Sequence, residues 1–112
     1  MAYIKKALVV DEYLTGSTTQ IGGYAVPANT TTEVHSVTLH NTNTSAEVVL
    51  LYYVPSAGAA GGDNKKLAKT LAPDETFEWS PYHYLTAGDQ FHGSSTTASK
   101  VNIRIDGAEV TQ

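Results

Sequence analysis

The chain has 112 residues, a formal net charge of -4 and no cysteine. This length predicts a single domain with a small core, and the lack of thiols excludes disulfide bonds and cysteine chemistry. The mildly acidic balance argues against nucleic acid as the main partner, because phosphate contacts need clustered lysine and arginine side chains.

The first predicted strand covers residues 3–10 and is apolar enough to belong partly to this domain and partly to a partner. Its apolar run ends at Asp11 after four residues, which is too short for a signal-peptide core. No stretch reaches the ~20 apolar residues of a membrane span, so we expect no membrane partner and a protein kept in a cytoplasm or released by lysis. Residues 1–17 are predicted as an N-terminal arm or first strand, and residues 18–112 as the sandwich domain.

Two further strands are predicted next in the chain. Residues 18–26 contain two adjacent glycines, which indicates a short, bent or bulged strand. In residues 31–41, the alternation places His35, Val37 and Leu39 on one face. A polar Asn-rich turn follows, and we expect this strand to form an antiparallel hairpin with Glu47–Val54.

The segment Glu47–Val54 carries seven consecutive apolar residues before Pro55, which predicts a strand that is apolar on both faces. A surface strand would alternate with polar residues, so both faces should be covered, one by a second sheet and the other by an element such as a neighbouring subunit. The strand is therefore expected at the centre of the fold.

The remainder of the chain continues the pattern of short strands and turns. The glycine-rich residues 56–64 predict a surface loop, because they lack the Gly-Lys-Ser/Thr ending of a phosphate-binding loop. Breaks recur about every ten residues and helical periodicity is nearly absent. We therefore predict an all-β, single-domain antiparallel β-sandwich that is jelly-roll-like, with about eight strands. The predicted core comprises Leu50, Tyr52, Val37, Leu39, Val101, Ile103 and Ile105.

Candidate chemical sites are few. A metal site of His83, Asp89 and His92 is conceivable, but no compact ligand spacing supports it. The carboxylates of residues 74–78 belong to a turn and an outward position, which disfavours glycosidase chemistry. We therefore predict no catalytic residue, no metal and no cofactor. The aromatic residues Trp79, Tyr82 and Tyr84 could form a sugar-binding platform, but the favoured interpretation is burial in the core or at an oligomer contact.

Several motifs occur in an order that resembles small β-sandwich virion structural proteins of tailed bacteriophages, from about residue 22 to residue 110. These motifs are Val26-Pro27-Ala28, Val37-Thr38-Leu39-His40-Asn41-Thr42, Val54-Pro55-Ser56, Leu71-Ala72-Pro73-Asp74-Glu75-Thr76, Leu85-Thr86-Ala87-Gly88-Asp89 and Val101-Asn102-Ile103-Arg104-Ile105-Asp106-Gly107. The resemblance implies a non-enzymatic capsid decoration (cement) protein, assembled in the host cytoplasm and located on the virion. It would bind the major capsid protein as a homo-oligomer, most readily a trimer.

Two alternatives stay open at this point: a tail- or fibre-associated structural protein and a carbohydrate-binding module. A decoration protein should commit its N-terminal segment and an apolar face to protein contacts. A sugar binder should instead expose its aromatic side chains in a groove with polar neighbours. The candidate protein–protein contact residues are Tyr3, Ile4, Leu8, Tyr53, Tyr82 and Tyr84.

Overall fold

A computed structural model describes residues 1–112 and contains nine β-strands and no helix. No helix is therefore long and apolar enough to cross a bilayer. The strands are β1 (Ala2–Tyr13), β2 (Thr19–Ala25), β3 (Thr30–Asn41), β4 (Glu47–Val54), β5 (Lys65–Leu71), β6 (Thr76–Trp79), β7 (His83–Leu85), β8 (Gln90–Ser95) and β9 (Val101–Thr111).

The strands form two antiparallel sheets. Sheet I has the order β1-β9-β3-β6, with β7 also paired to β3, and sheet II has the order β2-β8-β4-β5. The hairpin pairs are nested: β1 pairs with β9, β2 with β8, β3 with β6 and β7, and β4 with β5. A two-stranded ribbon rolled up in this way is the jelly-roll arrangement. The predicted all-β, jelly-roll-like sandwich is therefore confirmed.

The structure has nine strands because the segment that pairs with one side of β3 is interrupted between Trp79 and His83. Pro81 has no N–H to donate, and Tyr82 adopts a left-handed backbone with φ 53°. These two residues separate β6 from β7, which both pair with β3.

The core lies between the sheets and contains most of the predicted residues. Val37 and Leu39 of β3 are fully buried, as are Val101, Ile103 and Ile105 of β9. These strands alternate clearly between apolar and polar residues, so their inward faces are confirmed as predicted. A buried aromatic residue, Phe91 of β8, completes the centre of the core with its ring 5.7 Å from the ring of Tyr53.

The prediction for β4 had the wrong face inward. Leu50 is only half-buried, whereas Val49 and Leu51 are fully buried in the core. Tyr52 is buried but lies outside the main core cluster. Because the run is apolar throughout, its sequence does not show which face of the strand points outward. The inward face is set by Glu47, which is buried on the same face as Val49 and Leu51.

The predicted hairpin between β3 and β4 is also wrong. The two strands belong to different sheets, and residues 42–46 cross from one sheet to the other. The buried Asn41 side chain holds this crossing, because its Nδ2 lies within hydrogen-bonding distance of the carbonyl oxygens of Ser45 (3.0 Å), Leu71 (3.3 Å) and Ala72 (3.1 Å). The two N–H groups of this amide thus tie the crossing segment to the end of β5 and satisfy carbonyl groups there.

The predicted alternation in β3 fails at one residue. The pairing of β3 with β9 shifts register between Val34 and Ser36, which leaves His35 as the extra residue of a β-bulge. Val34 and Val37 therefore both point into the core, and His35 lies on the outer surface instead of sharing a face with Val37.

The N-terminal segment forms an edge strand of this sandwich. Strand β1 pairs with β9 of the same chain, with register shifts between Ala7 and Val9 and between Val9 and Glu12. These irregularities let two consecutive residues, Leu8 and Val9, reach the core. Residues 1–17 therefore contribute a strand and core side chains to the fold.

The carboxylate of Glu47 is the centre of a buried polar contact. Its Oε1 accepts a hydrogen bond from the backbone N–H of Thr97 (2.8 Å), and its Oε2 accepts one from Nδ2 of Asn43 (2.9 Å). Burial alone would raise the pKa of Glu47, but these hydrogen bonds and the charge of Lys100 outweigh it and hold the pKa below its ordinary value.

A carboxylate with a lowered pKa in the folded state contributes stability above its unfolded pKa, and this contribution is lost as the pH falls through the folded pKa. We expect Glu47→Gln to lower the free energy of unfolding by about 1–3 kcal/mol at neutral pH and by less in acid. Urea titrations at several pH values measure this difference, with the exposed Glu12→Gln as control. A penalty that does not shrink as the solution is acidified would contradict the prediction.

Candidate functional site

The free edge of sheet I is the first candidate surface. Strand β1 is the terminal strand of its sheet, so the edge that faces away from β9 has no partner strand. From Ala2 to Ala7 the pairing with β9 has no bulge, and this half of the edge is regular. Tyr3 and Ile4 lie in this regular half and are 52% and 54% exposed. The structure therefore presents an open strand edge that carries exposed Tyr3 and Ile4 beside the exposed lysines Lys5 and Lys6, and an unpaired edge is the arrangement that strand addition uses.

The six predicted contact residues fall into two groups. Leu8 and Tyr53 are buried members of the core cluster, so their side chains stabilise this chain and are not presented to a partner. Strand alternation could not reveal this. Leu8 lies at an irregularity in the pairing of β1 with β9, and Tyr53 lies in the uniformly apolar run of β4. The exposed candidates are Tyr3, Ile4, Tyr82 and Tyr84.

The outer surface of sheet I joins two of these tyrosines through polar residues. The hydroxyl of Tyr3 donates to Oε1 of Glu33 (3.3 Å), and the same oxygen lies 2.9 Å from Nε2 of His35. The His35 ring stacks on Tyr82 with a centroid distance of 5.2 Å. Desolvation and the Glu33 carboxylate raise the pKa of Tyr3. Sequence reasoning missed Glu33 and His35 because the bulge in β3 brings the histidine to this surface.

A side cleft opens where the edges of the two sheets meet. It has a volume of about 320 Å³ and is lined by Tyr53, Lys66, Tyr82, His83 and Tyr84. The Tyr53 hydroxyl and Nδ1 of His83 share a hydrogen bond of 3.0 Å, and burial raises the pKa of Tyr53. Tyr82 and Tyr84 are 76% and 71% exposed. The cleft thus combines exposed aromatic rings with hydrogen-bonding groups and one cation.

Trp79, the third aromatic residue considered for a sugar platform, lies behind the cleft. It is half-buried, packs against the core cluster and contacts the edge of the His83 ring at 5.6 Å between centroids. Its part is therefore to support His83.

The outer face of sheet II is poor in charge. Val48 is exposed, and Leu50 and Tyr52 lie on the same face of β4. Their cross-strand neighbours are small or uncharged apart from Lys65, whose ammonium lies 5.8 Å from the centre of the Tyr52 ring. Within this chain no second layer covers that face, so the expected cover by a neighbouring subunit stays a prediction.

The histidines have partners that do not make a metal site. No group of three His, Cys, Asp or Glu side chains has an arrangement that could hold a metal ion. The carboxylate of Asp89 accepts hydrogen bonds from the backbone N–H groups of Thr86 and Ser56 and so closes a turn. His92 contacts Oε1 of Gln90, and burial lowers the pKa of His92. The structure does not bring His83, Asp89 and His92 together.

Neither a family model nor a curated protein matches the chain. Among solved structures, it is similar to a protein of Bacillus endospore appendages, which are described as a novel family of disulfide-linked pili. The alignment has a TM-score of 0.57 and 13% sequence identity, and it covers 97% of this chain and 88% of that chain. At this identity the likeness shows the fold. The present chain has no cysteine, so it cannot itself form the disulfide links named for those pili.

Proposed function

We propose that this chain is a non-enzymatic structural subunit that joins a larger assembly through its β1 edge. The observation that carries the proposal is the open, regular half of β1, where Tyr3 and Ile4 are exposed beside an unpaired backbone. A strand edge without a bulge, proline or covering loop is a template for another strand. Backbone hydrogen bonds would supply affinity, and the side chains of Tyr3 and Ile4 would supply specificity.

The fold supports a structural role, because the similar pilus protein is also a building unit of an appendage. For the particle itself, the order of motifs along the chain supports a virion of a tailed bacteriophage. The finer proposal is a capsid decoration protein that binds the major capsid protein as a homo-oligomer, with a trimer suited to the three-fold positions of an icosahedral shell.

The test replaces one exposed side chain at the regular half of the edge. Ile4→Asp places a charge beside the pairing groups, and Val10→Asp makes the same kind of change at an exposed residue in the irregular half of the same strand. We expect the wild type and Val10→Asp to sediment as an oligomer at micromolar concentration and to co-sediment with capsids that lack the protein. The Ile4→Asp variant should keep its melting temperature but remain monomeric and unbound.

Point substitutions are preferred to deletion of the strand, because Leu8 and Val9 of β1 belong to the core. A wild-type protein that is monomeric and absent from purified capsids would refute the decoration proposal. Co-sedimentation with isolated tails in place of capsids would favour the tail-associated alternative. Unimpaired assembly of Ile4→Asp would show that another surface makes the contact.

A further inference from the structure

We propose that the side cleft is a binding site for a carboxylate-bearing sugar, such as a uronic acid unit of an acidic glycan. This activity goes beyond the structural role proposed above and uses a different edge of sheet I. It rests on three features of the cleft: two exposed aromatic rings, a lysine without a partner and a hydrogen-bonded polar floor.

The Tyr82 ring is held in place although it is open to solvent. Tyr82 keeps a left-handed backbone, with φ 53°, which is unfavourable for a bulky residue. Its ring is fixed by stacking on His35 at 5.2 Å. Such strained conformations persist where the surroundings enforce them and cluster at binding sites. The backbone of Tyr84 is held by pairing with Glu33 in the sheet ladder. The two exposed rings offer flat apolar surfaces to the C–H face of a sugar, with hydroxyl groups at their outer ends.

Lys66 supplies the positive charge that favours an acidic sugar over a neutral one. The pairing of β4 with β5 shifts register so that Leu51 faces Leu67 and Tyr52 faces Lys65, which leaves Lys66 as the extra residue of a bulge. Bulges next to sites redirect side chains. The neighbouring lysines already contact aromatic rings, Lys65 over Tyr52 and Lys69 over Phe77. Lys66 has no ion-pair partner, and no acidic residue lines the cleft.

The floor of the cleft can bind sugar hydroxyl groups. The hydrogen bond between the Tyr53 hydroxyl and Nδ1 of His83 fixes the imidazole ring, and the edge of that ring contacts Trp79. Nε2 of His83 has no partner within the chain, although the other ring nitrogen does. Ligand sites commonly combine aromatic walls with a few fixed polar groups of this kind.

The experiment measures binding of three probes: trigalacturonate, trimannuronate and 3′-sialyllactose. The chain has a single tryptophan, Trp79, which contacts the cleft residue His83, so its fluorescence reports on the cleft through that contact. We expect at least one of these acids to bind saturably below about 10 mM. For a uronate, the methyl ester should bind about tenfold more weakly, since it loses the charge-assisted hydrogen bond.

Matched variants distinguish binding at the cleft from the general effect of removing a positive charge or an aromatic ring. Lys66→Gln should weaken binding of the acid about tenfold and abolish its preference over the neutral ester, whereas Lys65→Gln should change affinity less than twofold. Tyr84→Ala should weaken binding of acid and ester alike, whereas Tyr13→Ala, another exposed tyrosine, should not. Melting temperatures should be unchanged in all four variants.

The proposal is overturned if none of the three acids binds, or if Lys65→Gln weakens binding as much as Lys66→Gln. It is also overturned if a virion protein, and no glycan, protects Tyr84 from chemical modification. In that case the cleft would be a protein contact.

Discussion

Leu51→Ala should lower the free energy of unfolding by about 2–5 kcal/mol, whereas Leu50→Ala should cost clearly less. Leu51 is 0% exposed and lies between the two sheets, so truncation removes buried apolar area and leaves a cavity. Leu50 lies on the half-buried outer face of the same strand. Because the two residues are identical and adjacent in the chain, chemical denaturation of the pair compares only the two faces of β4.

The outcome also bears on the proposed assembly. Equal costs in the isolated protein would contradict the assignment of the inner face to Leu51. A cost for Leu50→Ala that rises in the proposed oligomer would show that a partner covers the outer face of sheet II.

Gly107→Ala is expected to be among the most damaging small substitutions, with a loss of about 3 kcal/mol or more in the free energy of unfolding. A Cβ atom at this position would overlap the backbone carbonyl of Glu33 and approach Cδ1 of Leu8 to 3.1 Å. Neither neighbour can yield easily, because Glu33 adjoins the bulge in β3 and Leu8 is in the core. Glycine is thus required here for the close approach of two strands.

Gly62→Ala is the matched control, since a Cβ atom there meets nothing within 4 Å. Its effect should stay within about 0.5 kcal/mol. Thermal unfolding followed by circular dichroism measures both variants. A Gly107→Ala protein as stable as the control would mean that β3 and β9 are further apart than the structure has them.

The parts of the fold that sequence could predict are those in which local pattern and tertiary position agree. Strand β9 alternates strictly, and its inward residues Val101, Ile103 and Ile105 follow directly from that pattern. In β4 every residue from Val48 to Val54 is apolar, so the periodicity does not show which face of the strand is buried. The choice of the buried face depends on hydrogen bonds from Asn43 and Thr97 to Glu47, and Thr97 is 50 residues away in the chain.

The same contrast between local sequence pattern and tertiary position applies to the candidate site. The abundance of tyrosine near residue 82 is visible in the sequence, but the left-handed backbone of Tyr82 and the exposure of Tyr82 and Tyr84 are not. The positions of His35 and Lys66 depend on single-residue bulges, and a shift of one residue moves a side chain to the opposite face. No periodic pattern marks such bulges in advance.

The nested order of the strands has a consequence for how the protein is made. The innermost pair, β4 with β5, joins residues close in the chain, whereas β1 must wait for residues 101–111 before it has a partner. Pairing across so many residues carries a high entropic cost and slows folding. During synthesis β1 therefore emerges before its partner strand, and its backbone stays unpaired until β9 leaves the ribosome. The β1 edge of sheet I is thus completed in the final step of folding, so the assembly proposed through this edge would require each chain to be fully folded first.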